Sequence, residues 1–411
     1  MRDCSSGQVN EMDGTIDYSG FTLEELRQAE RSIDQEQYPR NYRNILAAKK
    51  WLGADQSETL ISGEKQERRL ESLSFHSDGS EYFRIWIVNI CLSIITLGIY
   101  SAWAKVRRRR YFYRHTRLCG DNFDYHANPV AILKGRLILL PLLAAYFYGD
   151  FLVPGLTLGT FVLIIFLLPF LLVRAATFNN RNTSYRNIRF GFDGTSKESY
   201  KMFFKYGLIS VASLGIASPI MEFARRRFVI ENSRYGSARF SFAGEFGAFF
   251  KIYFFAGLMV IIGGVGISFG AGKLESLIRS IFDVPYDPES LGFLVYLPVV
   301  LIGLTYFAAM VYASVRAGNY MFSHTSIGDR SIEANLSVRK MVYIQFTNML
   351  AIIATLGLFI PWAHVRVHRY RVAHIFVDVG GGLDDFIAGE KQDADALGEE
   401  AGDFFDFDFG I

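Results

Sequence analysis

The feature that most constrains the fold is a twelve-residue segment that occurs twice, 259 positions apart. TLGIYSAWAKVR occupies residues 96–107, and TLGLFIPWAHVR occupies residues 355–366. A shift of 117 residues aligns a third and more diverged copy, which places Leu214-Gly215 on Leu97-Gly98 and also ends in a run of arginines. Matching at constant offsets indicates that the chain is built from duplicated units.

Long apolar runs place these units in a membrane. Half of the 411 residues are apolar, and residues 151–173 and 291–315 carry no charge. Residues 130–148 and 248–268 carry basic residues near one end only. About 20 apolar residues suffice to cross a bilayer as a helix, so these four runs predict four full spans. The predicted fold class is therefore a mainly α, polytopic helical membrane protein with internal repeats.

A shorter motif recurs four times between the apolar runs. A threonine or serine is followed seven residues later by an apolar residue, with a glycine or asparagine between them. The pairs are Thr116 and Phe123, Thr183 and Phe190, Ser233 and Phe240, and Thr325 and Ile332. This pattern predicts short β-hairpins, which are too small to be stable alone and must pack together outside the lipid.

The charges of the loops predict the topology. Residues 104–131 hold seven basic and two acidic residues, whereas residues 270–291 hold two basic and four acidic residues. The segments 177–201, 221–248 and 315–341 also have a basic excess. By the positive-inside rule the basic segments, with their hairpins, face the cytoplasm. No apolar signal segment occurs in the first 80 residues, so the N-terminus is expected on the same side.

The three repeated segments conflict with a simple spanning model. Residues 82–103, 200–223 and 342–362 are basic at both ends. We therefore predict that they are re-entrant or interfacial helices, broken at Leu-Gly and at Pro219 or Pro361, with seven full spans as the alternative. Within the spans, Gly155-x-x-x-Gly159 and Gly266-x-x-x-Gly270 predict close helix contacts near the outer face.

The predicted organisation has six parts, namely a helical cytoplasmic module (1–55), a charged linker (56–71), membrane repeats (72–180 and 181–322), a partial repeat (323–390) and an acidic aromatic tail (391–411). In the module, Thr22 and Glu25 have capping-box spacing and Pro39 can open a second helix, which predicts a helical hairpin.

Two stretches carry a resemblance to a known family. FHSDGSEYFRIWIVNICLSIITLGIYSAWAKVRRRRYF, from Phe75, and the ending GEEAGDFFDFDFGI resemble the YjgN-like family of bacterial inner-membrane proteins, domain of unknown function 898. The resemblance covers about residues 75–411. It implies a location in the inner membrane, and it implies no role for any residue.

Three sets of residues are candidates for function. Basic clusters next to apolar segments attract anionic headgroups, which predicts lipid or phosphate contact for Arg107, Arg108, Arg109, Arg110, Arg225, Arg226, Arg227, Arg366 and Arg369. Trp103 and Trp362 are predicted anchors at the membrane interface. The polar residues inside the repeats, Asn89, Thr96, Asn348 and Thr355, either hydrogen-bond between helices or line a polar path.

The histidines of the last copy allow two interpretations. His364 and His368 have a spacing that can bind a metal, but Lys105 and Arg109 occupy these positions in the first copy. A cationic face is therefore favoured, and no metal or cofactor site is predicted. Glu222 aligns with Lys105 and His364, which predicts an ion pair between repeats.

Two functions remain open at this point. Because no catalytic motif occurs, an enzyme is not expected, and the aromatic residues near the arginines fit a membrane interface better than nucleic acid. The first interpretation is transport or channel activity through a pathway between the repeats. The alternative is a non-catalytic membrane scaffold or a protein that binds anionic lipids.

Overall fold

The structure of the protein is a computed structural model that describes residues 21–35, 37–49, 68–282 and 292–380, with single positions at 14, 18 and 387. Most of the predicted linker (56–67) and the predicted tail (391–411) lie outside the described residues. The chain divides into two compact units, Met1–Arg68 and Arg69–Ile411.

The first unit contains the two helices predicted from its capping signals. Helix α1 is Leu23–Ser32, and α2 covers residues 39–49. The Thr22 hydroxyl accepts a hydrogen bond from the Glu25 amide at 3.4 Å, and the Glu25 carboxylate accepts one from the Thr22 amide at 2.8 Å. Leu26 and Ile45 are fully buried against each other, so an apolar contact holds the pair together.

In the described part of the second unit, ten helices form a closed ring. Each helix packs against the next one in the chain, and the last packs against the first. The helices are α3 (Gly79–Ile95), α4 (Ser101–Arg114), α5 (Pro129–Leu152), α6 (Leu156–Arg181), α7 (Ser196–Ala212), α8 (Ser218–Glu231), α9 (Phe246–Phe282), α10 (Gly292–Ser323), α11 (Val338–Ala354) and α12 (Ile360–Val372).

Eleven strands of the described chain form an antiparallel sheet, which makes a second ring. The strands are β1 (Leu70–Ser72), β2 (Ser74–Phe75), β3 (Thr116–Leu118), β4 (Asp121–Tyr125), β5 (Thr183–Tyr185), β6 (Ile188–Phe192), β7 (Ser233–Tyr235), β8 (Ala238–Phe242), β9 (Thr325–Ile327), β10 (Arg330–Ala334) and β11 (Ile375–Asp378). Their order is β1-β11-β10-β9-β8-β7-β6-β5-β4-β3-β2. Only Leu73 separates the two edge strands β1 and β2, so the sheet is nearly closed.

Each of the five helical pairs begins and ends at this sheet. Between the pairs lie the four predicted hairpins, β3–β4, β5–β6, β7–β8 and β9–β10. The hairpins do not pack as separate units, because neighbouring hairpins share backbone hydrogen bonds. A fifth antiparallel pair, β11 and β1, completes the set of hairpins, and its two strands come from opposite ends of the unit.

The threonine or serine of the hairpin motif has a clear local role. The hydroxyls of Thr116, Thr183, Ser233 and Thr325 each donate to the backbone carbonyl four residues earlier, at 2.7–2.9 Å. Such a bond satisfies a carbonyl that the end of the helix leaves without an amide. The motif therefore marks the point where a helix ends and a strand begins.

Among the described residues, four helices are long and apolar enough to cross a membrane, in agreement with the four predicted spans. They cover Pro129–Leu152, Leu156–Arg181, Phe246–Ile281 and Tyr296–Ser323. Helix α9 continues into the predicted outer loop at 270–291. The loop's charges support this extension, because Arg279 pairs with Glu275 one turn earlier at 2.8 Å.

The other three helical pairs are short, and each turns at a Leu-Gly pair. Leu97, Leu214 and Leu356 have φ of +49°, +51° and +50°, and the glycines that follow have φ of +86° to +94°. The hydroxyls of Thr96, Ser213 and Thr355 accept hydrogen bonds from amides four residues later, at 2.9–3.0 Å. The three leucines are 93–94% exposed, although leucine is apolar and rarely adopts this backbone conformation.

The predicted glycine contacts are wrong. A Cβ added at Gly155, Gly159, Gly266 or Gly270 would meet no atom of the described residues within 4 Å. The close approach in the α9–α10 hairpin is instead at Gly263, where an added Cβ would lie 2.5 Å from a Thr305 methyl group. Spacing alone could not identify this position, because α9 is rich in glycine on several faces.

Candidate functional site

Two open cavities lie among the helices of the ring. The larger, of about 750 Å³, is lined by residues of α4, α10, α11 and α12. The smaller, of about 540 Å³, is lined by α4, α6, α8, α10 and the sheet. Tyr113 lines both cavities. Since every even-numbered helix from α4 to α12 contributes to at least one of them, the cavities lie on the inner side of the ring.

The charges that line these cavities are positive. Arg108, Arg109 and Arg371 line the larger cavity, and Arg225 and Arg226 line the smaller one. Among the described residues that line either cavity there is no aspartate or glutamate. Four of the nine arginines from the predicted basic clusters therefore line the cavities, where their charge favours anions.

The smaller cavity ends at the sheet. The apolar residue of each hairpin motif, namely Phe123, Phe190, Phe240 and Ile332, lines the cavity there. A further apolar cluster fills the bore of the sheet with Leu118, Tyr185, Tyr235, Ile327 and Ile387. The Tyr185 and Tyr235 hydroxyls donate to carbonyls of the neighbouring hairpins at 2.8 and 3.1 Å. The bore is therefore closed by side chains.

Arg109 of α4 is bound by residues of β4 and α6. Its guanidinium donates to the Tyr125 hydroxyl at 3.1 Å and to the Asn179 side-chain oxygen. The same guanidinium lies 5.4 Å from the centre of the Tyr125 ring. Arg108 has no carboxylate within 4 Å among the described residues, and it is exposed to the cavity. Adjacent arginines thus have different surroundings.

The predicted ion pair between repeats is wrong. Glu222 binds Arg225 at 2.9 Å and Arg226 at 2.6 Å, and all three residues belong to α8. Glutamate three or four residues before arginine on a helix is well placed for this contact. The pairing reduces the positive charge at the smaller cavity, whereas Arg108 and Arg371 leave the larger cavity cationic.

The other predicted basic residues bind the protein itself or are exposed. Arg110 donates to the Tyr125 carbonyl at 3.2 Å, and Arg227 pairs with Glu231 at 2.8 Å. Arg369 donates to the Ser77 carbonyl, which links α12 to the segment before α3. Arg107 is exposed. Sequence reasoning could not separate these residues from the cavity-lining arginines within the same short clusters.

The four predicted path residues occupy two kinds of position. Asn89 and Asn348 are buried, at 7% and 4% exposure, and Asn348 also lines the larger cavity. The Asn348 oxygen accepts a hydrogen bond from Arg366 at 2.7 Å, whereas the Asn89 oxygen has no partner among the described residues. Thr96 and Thr355 hold the Leu-Gly turns and do not line either cavity.

His364 and His368 both line the larger cavity. His368 lies at the sheet end, where its Nε2 is 3.1 Å from the Thr116 hydroxyl and its ring contacts Phe75 and Phe112 edge-on. Burial, with a contribution from Arg371, lowers the pKa of His368 to about 4, so the ring is neutral at pH 7. The described residues include no group of three metal-binding side chains.

The two tryptophans contact other parts of the ring. Trp362 stacks on Phe83 of α3 at 5.0 Å and covers Gly79, so it joins the last helix to the first. Trp103 stacks on Tyr100 at 6.2 Å and packs against the core between α4, α5 and α6. Their predicted role at a membrane interface stays a prediction, and the contact of Trp362 adds a structural role.

The residues that sequence reasoning missed are the motif phenylalanines and Arg371. The repeated motif could have identified the phenylalanines. If the repeated units close into a ring, the residue at one motif position in each unit contacts its equivalents in the other units. Closure itself was not visible. It depends on β1 and β11, which lie about 300 residues apart in the sequence and carry no motif.

Comparisons with known proteins agree with this architecture. The family model for bacterial proteins of unknown function, DUF898, matches residues 71–404. Inner membrane protein YjgN of Salmonella typhimurium is 32% identical over 149 residues, which is 35% of this chain and 37% of that protein. YjgN of Escherichia coli K12 is 28% identical over 217 residues, covering 51% of this chain and 48% of the relative.

These matches therefore span less than half the length of the curated relatives. No solved structure matches the chain. The family match covers most of the sequence, the relatives are inner-membrane proteins, and four helices are long and apolar enough to cross a bilayer. The chain belongs to the DUF898 family and is a multi-pass protein of the bacterial inner membrane.

Proposed function

We propose that the protein transports an anionic solute along the axis of the helix ring. One observation carries the proposal. The second helix of each of the five pairs lines at least one of two adjoining cavities, and the charged residues that line these cavities are arginines. Cavities lined by one sign of charge concentrate ions of the opposite sign. Repeated, broken helices around a common axis are also typical of transporter sites.

The proposed membrane arrangement has four full spans and three re-entrant helical pairs. The long pairs α5–α6 and α9–α10 cross the bilayer, and the short pairs enter it from the sheet side and return there. The exposed Leu97, Leu214 and Leu356 support this arrangement, because they place an apolar side chain at the tip of each short pair. Under the positive-inside rule the arginine-rich sheet faces the cytoplasm.

In this arrangement the structure corresponds to a state closed at the cytoplasmic side. The apolar side chains in the bore of the sheet separate the smaller cavity from the opposite face. A solute crossing the protein would require these side chains to move, or would leave between neighbouring hairpins. The mechanism we propose is therefore gated transport and not a permanently open pore.

The alternative function, binding of anionic lipid by a scaffold, has its own support. Phe307, Met349, Ile352 and Ile353 give the larger cavity an apolar wall beside its arginines. A protein that only binds lipid would retain it there without moving a solute. Measurements of flux separate the two functions.

The test is ion flux in liposomes that contain the purified protein. We expect chloride or phosphate to cross faster than potassium, and the rate to fall at least tenfold when Arg108→Gln and Arg371→Gln are combined. Arg227→Gln is the matched control, because Arg227 lies outside both cavities and pairs with Glu231. Rates equal to those of empty liposomes would reject transport. Equal rates above that level in the double variant and the wild type would reject the path past Arg108 and Arg371.

A further inference from the structure

The larger cavity has two chemically different ends. Ile352 and Ile353 lie in the last turns of α11, next to the Leu356-Gly357 turn, and Arg371 lies in the last turn of α12, next to the sheet. Along α12 the lining runs from Ala363 to Arg371, eight residues or about 12 Å. The cavity is thus elongated, apolar towards the tip of the helical pair and cationic towards the sheet.

The arginines at the cationic end differ in their freedom to bind a ligand. Arg109 is engaged by Tyr125 and Asn179. Arg108 and Arg371 are exposed to the cavity and have no carboxylate within 4 Å among the described residues. Two such guanidinium groups can bind the oxygens of a phosphate or carboxylate with charge-assisted hydrogen bonds.

The apolar end opens towards the tip. Ile353 lines the cavity and is also 65% exposed, so the mouth is apolar on both its inner and outer sides. Met349 and Phe307 continue this wall from α11 and α10. Contact with this apolar surface would not stabilise a small hydrated anion. A hydrocarbon chain would be removed from water there, or would lie partly in the cavity and partly in the bilayer.

We infer that the larger cavity binds an anionic amphiphile, with its acidic group on Arg108 and Arg371 and its acyl or alkyl chain along Met349, Ile352 and Phe307 towards the tip. This inference rests on the proposed function, and it specifies the class of solute. A volume of about 750 Å³ lies in the range of small-molecule sites, which combine apolar walls with a few placed polar groups.

Calorimetric titration of the purified protein in a neutral maltoside detergent tests the inference. The probes are inorganic phosphate, butyl phosphate, octyl phosphate and dodecyl phosphate, and dodecanol is the uncharged control. We expect affinity to rise with chain length from a weakly bound phosphate, with no measurable binding of dodecanol. Combined Arg108→Gln and Arg371→Gln should weaken dodecyl phosphate at least tenfold, whereas Arg227→Gln should not.

A second variant separates the two ends of the cavity. Met349→Gln keeps the side-chain volume but makes the wall polar, and we expect it to reduce the dependence on chain length while leaving the requirement for both arginines. Thermal unfolding without ligand serves to check that each variant is folded.

The possible results are distinguishable from those of the flux assay. Equal binding of phosphate and dodecyl phosphate would overturn the amphiphile and leave small-anion transport standing. Binding that is unchanged by the arginine substitutions would overturn the site. Chain-dependent binding without any flux would support the site and reject the transport proposal on which it rests.

Discussion

Arg366 donates a hydrogen bond to the side-chain oxygen of Asn348 at 2.7 Å, within the helical pair α11–α12. The aligned residues of the first pair, Arg107 and Asn89, do not form this bond. Arg107 is exposed, and the oxygen of the buried Asn89 has no partner among the described residues. Two copies of one motif thus have the same residues and different contacts.

This difference predicts unequal effects of the same substitution. Asn348→Leu removes the acceptor of a half-buried guanidinium and should destabilise the protein by about 1–3 kcal/mol. Asn89→Leu removes an unsatisfied buried oxygen and should change stability by less than about 1 kcal/mol, or increase it. Thermal unfolding of the detergent-solubilised variants measures both. Equal losses in the two variants would contradict the assignment of contacts.

The contact that closes the helix ring predicts a second effect. A methyl group at Gly79 would overlap the indole of Trp362, so Gly79→Ala should force α12 away from α3 and destabilise the protein by about 1–3 kcal/mol. Gly207→Ala in α7 is the matched control, because an added Cβ there meets nothing within 4 Å. An alanine in that exposed helix should be neutral or stabilising. If both variants unfold like the wild type, Trp362 does not close the ring.

Much of this arrangement could be predicted from the sequence, and the limits have physical reasons. Hydropathy located four long helices, and the motif around Thr116 located the hairpins, because both depend on local patterns of side chains. The pairing of β1 with β11 depends on segments with no distinctive composition. The direction in which each arginine of the run Arg107 to Arg110 points depends on small rotations of α4, which charge counting does not resolve.

His368 predicts how stability depends on pH. Its pKa is about 4 in the folded protein and about 6.5 for an unperturbed histidine, so between these values the unfolded chain binds more protons. Its contribution to stability is therefore complete above about pH 6.5 and is lost progressively as the pH falls towards 4. His368→Gln should show a smaller fall in melting temperature between pH 7 and pH 5. An identical fall in both proteins would contradict the buried, neutral assignment.

The side of the membrane that the sheet faces is tested with single cysteines. The background is a variant with Cys4, Cys91 and Cys119 replaced by serine. Ser237→Cys reports on a turn of the sheet, Leu214→Cys on the tip of a short helical pair, and Val153→Cys on the turn between two long helices. The three positions differ in their predicted access to a charged thiol reagent that does not cross the membrane.

The most direct measurement is labelling of these three variants in intact cells and in inverted membrane vesicles. We predict that Val153→Cys reacts only in cells whose outer membrane has been permeabilised and Ser237→Cys only in inverted vesicles. Leu214→Cys should react from neither side, because its tip lies in the hydrocarbon. Reaction of Ser237→Cys from outside would contradict the cytoplasmic position of the sheet. Reaction of Leu214→Cys from outside would contradict the re-entrant arrangement and favour seven full spans.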